Sequence, residues 1–262
     1  MTRVSRVKVR HLQEGRRGWA WGIAVPIVRP LLLATTKRRW IDGEKIPAEG
    51  GFLLVLNHIS EVDPLIVAHI VWDHGRIPRY LAKAGLFKNK FLGFFLRAAG
   101  QIPVYRASKD AVGAYDAAVA AVRAGKCIVV YPEGTITRDP DLWPMVGKSG
   151  AARIALATGA PVIPIGQWGA QELLAPYAKR PDLFPRKLIT MKVGDPVDLS
   201  DLVGDQSYAA VNQATTRIMA ALTSLVEEVR GETAPAERFN PRTAGVSEFG
   251  NPHKDGRRGN GS

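Results

Sequence analysis

The sequence predicts an α/β fold: a single domain with a mixed, largely parallel sheet flanked by helices, preceded by an N-terminal helical membrane-associating segment. Three observations lead there. Apolar strand-like runs alternate with helical stretches across residues 46–230. Those strands are apolar enough to be covered on both faces, as in parallel sheets. The first 45 residues stand outside the alternation, being basic and aromatic. The expected organisation is therefore a basic amphipathic segment over 1–45, an α/β domain over 46–230 and a tail over 231–262.

Residues 1–45 hold eleven Lys or Arg against three Asp or Glu, so they carry +8 of the chain's net +12. Their apolar run, 19–34, is broken by Pro26, Arg29 and Pro30, whereas a spanning helix wants about 20 apolar residues. No small-residue cleavage site follows it, so a cleaved signal peptide is not expected. The run is read as lying in a membrane interface, with Trp19, Trp21 and Trp40 at headgroup level and arginines on anionic lipid. A nucleic-acid arm is the rival reading of so much basic charge. Tryptophans and leucines set among the arginines favour membrane, and nucleic acid is not expected as a partner. The implied location is the cytoplasmic face of the cell membrane, peripheral or monotopic.

Strands are expected over 51–56, 79–82, 101–105, 127–131, 161–166 and 187–193. Helices are expected over 64–73, 90–99, 109–124, 150–158 and 207–230. The connection over 168–186 is long, and loops of that length are often functional. From 231 the chain is rich in Gly, Pro, Arg and Asn with few large apolar residues, the composition of a disordered tail. A chain of 262 residues can bury one sizeable core. The single cysteine, Cys127, cannot form an intrachain disulfide and sits in a strand run, as a core hydrophobe would. No cysteine–histidine spacing suits zinc, so no metal is expected.

The run Asn57-His58-Ile59-Ser60-Glu61-Val62-Asp63-Pro64 follows the first of these strands. A carboxylate that holds an imidazole's tautomer makes the other ring nitrogen a general base. Positions five apart face different ways on a helix, so the chain must turn between His58 and Asp63. Asp63-Pro64 supplies the turn, reading as an N-cap with proline at the first helical position. A capped helix beside an unrelated loop histidine is the other reading of the same residues.

Tyr131-Pro132-Glu133-Gly134-Thr135-Ile136-Thr137-Arg138 follows the strand run over 127–131. Pro132 ends ladder pairing and Gly134 permits a tight turn. Glu133 and Thr135 should then emerge at the sheet's carboxyl edge, where open α/β sheets bind ligands. Lys83 and Arg106 stand at the ends of two other strand runs. With Arg138 they would form a phosphate clamp if they converge near His58. Singly, each of these could equally be a turn residue or a solvated charge.

Four ordered blocks, 57–63, 100–106, 131–138 and 160–165, resemble the glycerolipid acyltransferase family that includes the 1-acylglycerol-3-phosphate acyltransferases. The resemblance covers roughly residues 42–193. It implies His58 as general base and Asp63 as its orienting partner. It also implies that Arg106, Glu133 and Gly134 hold a phosphate-bearing acceptor, and that Lys83 binds phosphate. The fourth block, with Pro161 and Pro164, would line the acyl or acceptor site or serve the fold. One position departs from the family pattern: Ile136 stands where an arginine is usual, leaving Arg138 as the nearest cation.

The implied reaction moves an acyl group from acyl-CoA or acyl carrier protein to the free hydroxyl of lysophosphatidic acid, giving phosphatidic acid, with no cofactor. Loop N–H groups and Asn57 are candidates for stabilising the oxyanion. No acyl-enzyme is expected, since no Ser or Cys stands in a nucleophile elbow. Glycerol-3-phosphate, another lysophospholipid or a glycolipid are alternative acceptors. A thioesterase using the same dyad, or a non-catalytic lipid-binding protein, are the rival functions.

Overall fold

A computed structural model describes residues 18–104, 111–248, 250 and 251. The chain enters as helix α1 (Gly18–Thr35) and passes directly into strand β1 (Thr36–Ile41). There follow β2 (Phe52–Leu56), α2 (Asp63–Asp73), β3 (Pro78–Lys83), α3 (Lys90–Ala98) and β4 (Ile102–Val104). Then come α4 (Ala111–Arg123), β5 (Cys127–Val130), α5 (Gly150–Thr158) and β6 (Val162–Trp168). A short α6 (Ala170–Leu173), β7 (Lys187–Val193) and the long α7 (Tyr208–Arg230) complete the elements. The seven strands form one sheet in the order β1-β7-β6-β2-β5-β3-β4, parallel throughout except for β6 against β7. This is the mixed, largely parallel α/β sheet expected.

Strand β2 shows why the sheet has two covered faces. All five of its residues are buried, and the period-2 alternation of a strand sends them to opposite sides. Leu53 and Val55 join one core with residues of α4, α5 and α7. Phe52, Leu54 and Leu56 join the other, against Ile66, Val67, Ile70 and Val71 of α2. Cys127 is buried in that second core and is in no disulfide. Sandwiched between β5 and β6, β2 delivers its carboxyl end, and the residues that follow, to the middle of the sheet edge.

Two expectations change. Composition places residues 36–41 in the membrane-associating segment, but they form the edge strand β1, paired in register with β7 from Thr36↔Lys187 to Ile41↔Lys192. Trp40 is therefore core, its Nε1 donating to Asp73 at 3.2 Å. The strand reads as surface in sequence because only its two ends, and not the Lys-Arg-Arg middle, are buried. The described part of the expected tail is also not loose. Val146 N donates to Phe239 O at 3.0 Å, and Arg138 grips the carbonyls of Ser247 and Gly250 at 3.1 and 2.7 Å.

Helix α1 is long and apolar enough to cross a membrane, with mean hydropathy 1.3. Its inner face packs Ala20 and Trp21 against Ile77 and Ala99, and Trp21 Nε1 donates to Ala99 O at 3.0 Å. Its outer face exposes Trp19, Ile23, Ile27 and Leu31 at helical spacing. Pro26 and Pro30 lie on that exposed side too. The stripe continues onto α3, where Phe91 and Phe94 are exposed and Trp19 stacks on Phe94 at 5.5 Å between ring centroids.

Candidate active site

The run after β2 turns back on itself because Asp63, at the start of α2, collects three donors on one oxygen. Its Oδ2 accepts from Ile59 N at 2.7 Å and Ser60 N at 2.9 Å, and lies 2.8 Å from His58 Nδ1. A carboxylate accepts only, so it fixes the proton on Nδ1 and leaves Nε2 as the basic nitrogen. Asp63 is fully buried, while the His58 side chain keeps some exposure on the cavity wall. Asp63 Oδ1 has no hydrogen-bond partner among the described residues.

His58 is held on every side. Its N donates to Glu133 Oε1 at 2.9 Å and its O accepts from Thr137 N at 2.8 Å. Its ring stacks on Tyr131 at 4.2 Å between centroids. The neighbouring turn is pinned by Ser60 Oγ donating to Leu174 O at 2.6 Å and by Tyr177 N donating to Glu61 Oε1 at 2.9 Å. The long connection over 168–186 thus closes onto the histidine turn.

Glu133 does a different job from the one its sequence position implies. It is fully buried, with Oε1 on His58 N and Oε2 accepting from Met145 N at 3.0 Å. Burial pushes its carboxyl up to about 8, against the opposing effect of hydrogen bonds from Met145 N, His58 N and Thr137. It ties the two turns at the sheet edge together rather than facing an acceptor. Gly134 has φ of 73°, which favours glycine, and a Cβ there would come within 3.1 Å of Lys148 Cδ.

Asn57 is likewise spent within the fold. Its Nδ2 donates to Gln167 O at 3.0 Å, its Oδ1 accepts from Gln167 N at 2.9 Å, and its O accepts from Gln167 Nε2 at 2.7 Å. That locks β2 to β6 and leaves structural support as its role. The fourth block, 160–165, lies in and before β6 and pairs with β2, Pro164 standing opposite Val55. It supports the strand that carries His58. Arg138 does not reach the cavity wall: its guanidinium is taken by Ser247 O, Gly250 O and the Tyr177 hydroxyl. Arg106 lies outside the described residues.

His58, Lys83, Gly134 and Thr135 do converge, on one cavity of about 1040 Å³, at the upper end of the size of small-molecule sites. Lys148, which nothing in the sequence marked, joins them, with Ile136 and Tyr131. Away from these residues the walls turn apolar, formed by Val25, Val28 and Leu32 of α1, Leu65 and Trp72 of α2, and Phe95 of α3. Among the described residues no cluster of His, Cys, Asp and Glu is arranged to hold a metal.

The acyltransferase family profile matches residues 38–168, spanning both turns of the site. A 1-acyl-sn-glycerol-3-phosphate acyltransferase of Borreliella burgdorferi is 33% identical over 136 residues, 52% of this chain and 52% of that protein. The chain thus matches about half the length of that relative. One of the same name from Bacillus subtilis is 26% identical over 192 residues, 71% of this chain and 88% of that protein. The crystal structure of the 1-acyl-sn-glycerophosphate (LPA) acyltransferase of Thermotoga maritima shares the fold, with a TM-score of 0.57. Its identity is 21%, over 80% of this chain and 82% of that one.

Proposed function

The chain belongs to the acyltransferase family, and we propose that it moves a fatty acyl group from an acyl thioester to the free hydroxyl of 1-acyl-sn-glycerol-3-phosphate. The observation that carries this reading is the His58–Asp63 pair, 2.8 Å apart, on the wall of a cavity that is cationic beside the histidine and mostly apolar elsewhere. His58 Nε2 takes the hydroxyl proton as that oxygen attacks the thioester carbonyl. Asp63 stabilises the imidazolium, and the proton passes to the thiolate as it leaves. The main-chain N–H groups of Thr135 and Ile136, residues on the cavity wall, are candidates for stabilising the tetrahedral oxyanion. Lys83 supports phosphate binding by the acceptor, and orientation of both substrates supplies much of the rate. The reaction needs no cofactor, because the thioester brings its own activation, from CoA or a carrier protein.

The membrane is the natural source of such an acceptor. Helix α1 is apolar on both faces, and a helix of that kind is seldom left in water. Its outer stripe, with Phe91 and Phe94 of α3, is proposed to lie in an anionic lipid surface at the cytoplasmic face. The cavity's apolar wall runs along the same helices, so an acyl chain could pass from bilayer to site without crossing water.

The test is a panel of acceptors with one acyl-CoA, read by mass spectrometry of the products. Lysophosphatidic acid is expected to be acylated fastest, ahead of glycerol-3-phosphate, lysophosphatidylcholine and monoacylglycerol. Release of CoA at the same rate with and without any acceptor would overturn the reading in favour of thioester hydrolysis.

A further inference from the structure

We propose that Lys148 receives the acceptor's phosphate beside His58, and that the Glu248 carboxylate occupies this place until the acceptor displaces it. The inference rests on the acyl-transfer reading above and names a binding residue and an internal competitor for it.

Lys148 is built into the turn that follows β5. Its N donates to Pro132 O at 2.8 Å, and its side-chain stem lies over Gly134, where a Cβ would come within 3.1 Å of Cδ. Placed so, it lines the cavity together with His58, Gly134 and Thr135. Among the described residues the other cations near this end, Lys83 apart, are committed elsewhere. Arg138 is held by main-chain carbonyls of the C-terminal segment, and Ile136 offers no charge. Arg29, also on the cavity wall, is bonded to Asp73. Lys83 supplies a second charge on the wall, but a phosphate monoester carries close to two negative charges and is best met by more than one cation.

The C-terminal segment reaches the same spot. Arg138 grips it on both sides of residue 248, at the Ser247 and Gly250 carbonyls. That grip sets Glu248 Oε2 3.3 Å from Lys148 Nζ and Gly250 on the cavity wall. Glu248 also accepts from Arg242. A carboxylate on a lysine at the mouth of an anion site is a monoanion standing where a stronger anion belongs. The pair is partly exposed, and such pairs exchange readily.

The experiment uses the full chain, acyl-CoA, and two water-soluble acceptors: a short-chain lysophosphatidic acid and the monoacylglycerol that lacks its phosphate. Lys148→Gln should raise KM for the phosphorylated acceptor about tenfold while kcat stays within about twofold. KM for the monoacylglycerol should not move, and Lys148→Arg should restore most of the loss. Glu248→Gln should lower KM for the phosphorylated acceptor about two- to fivefold, and that gain should vanish when Lys148→Gln is also present. An unmoved KM in Lys148→Gln, with wild-type turnover intact, would overturn this inference alone. So would a Glu248→Gln enzyme that binds the phosphorylated acceptor more weakly, the mark of a structural clip. Failure of the wild-type enzyme to acylate either acceptor would sink the acyl-transfer reading itself, and this inference with it.

Discussion

Two histidine–carboxylate pairs sit at opposite ends of α2, both histidines touch the same cavity, and the surroundings give them different work. At the N-terminal end His58 meets Asp63 at 2.8 Å, across a turn, and among the described residues no Lys or Arg is bonded to that carboxylate. At the C-terminal end His69 lies 3.6 Å from Asp73, at helical i, i+4 spacing. Asp73 is already claimed by Arg38 at 2.6 Å, Arg29 at 3.3 Å and Trp40 Nε1 at 3.2 Å. Burial, with the charges of Arg38 and Arg29, holds His69 down to about 4 against the raising effect of Asp73. A histidine so placed stays neutral and packs, its ring edge-on to Trp40. Proximity to a carboxylate therefore does not make a base. At His69 burial outweighs the raising effect of Asp73, whose charge is shared with Arg38 and Arg29, whereas Asp63 has no such cationic partner among the described residues.

The largest contrast should come from removing each ring. His58→Ala is expected to cut kcat by about 10³ or more, the scale of a lost general base with its positioning, while His69→Gln keeps kcat within about threefold. Initial rates with acyl-CoA and lysophosphatidic acid decide it, and equal losses would erase the distinction drawn between the pairs. The carboxylates should separate next. All three bonds to Asp63 fall on Oδ2 and none on Oδ1. An asparagine in its place could keep the accepting oxygen where it is and put its NH₂ where Oδ1 stands. Asp63→Asn then removes charge more than geometry, and a 10- to 100-fold fall in kcat with little change in Tm is expected, on the order of a weakened base. Asp73→Asn should do the reverse, lowering stability by about 2–3 kcal/mol with kcat intact, because it strands Arg29 and Arg38. Thermal melts beside rates would show whether the two effects part in this way.

The last effect is one of pH and touches stability alone. His69 binds a proton in the unfolded chain near its ordinary 6.5 but in the fold only near 4. Its contribution is thus fully present above 6.5 and lost as pH falls toward 4, by up to about 3 kcal/mol. Denaturant melts at about pH 7 and about pH 4.5, either side of most of that window, should show this loss in the wild type. His69→Gln should flatten it, and an identical slope in the variant would place the acid sensitivity elsewhere.

Much of the molecule was legible in its residues. Apolar runs marked β2, β5, β6 and β7 to within a residue or two, since a strand covered on both faces has no polar alternative. The His58–Asp63 spacing, with Pro64 behind it, was enough to expect a turn that brings them together. Strand β1 was hidden because its middle residues are charged and its partner, β7, lies some 150 positions away in the pairing of Thr36 with Lys187. Glu133, Asn57 and Arg138 looked like site residues because they stand at or just past strand ends. Their polar atoms were claimed instead by Met145, Gln167 and the 247 and 250 carbonyls. Lys148 carried no signal at all, lying between Gly147 and Ser149 in an irregular stretch.

Local chemistry alone dictates the alternation of layers, the turn at His58 and the apolar character of the first helix. These follow from short-range periodicity, from proline and glycine placement, and from which residues can be left in water. Long-range packing settles which carboxylate is left to its histidine and which is shared with arginines, and which cation faces the cavity. Those outcomes depend on partners distant in sequence, because a buried charge takes its role from whatever the fold sets within hydrogen-bond reach of it.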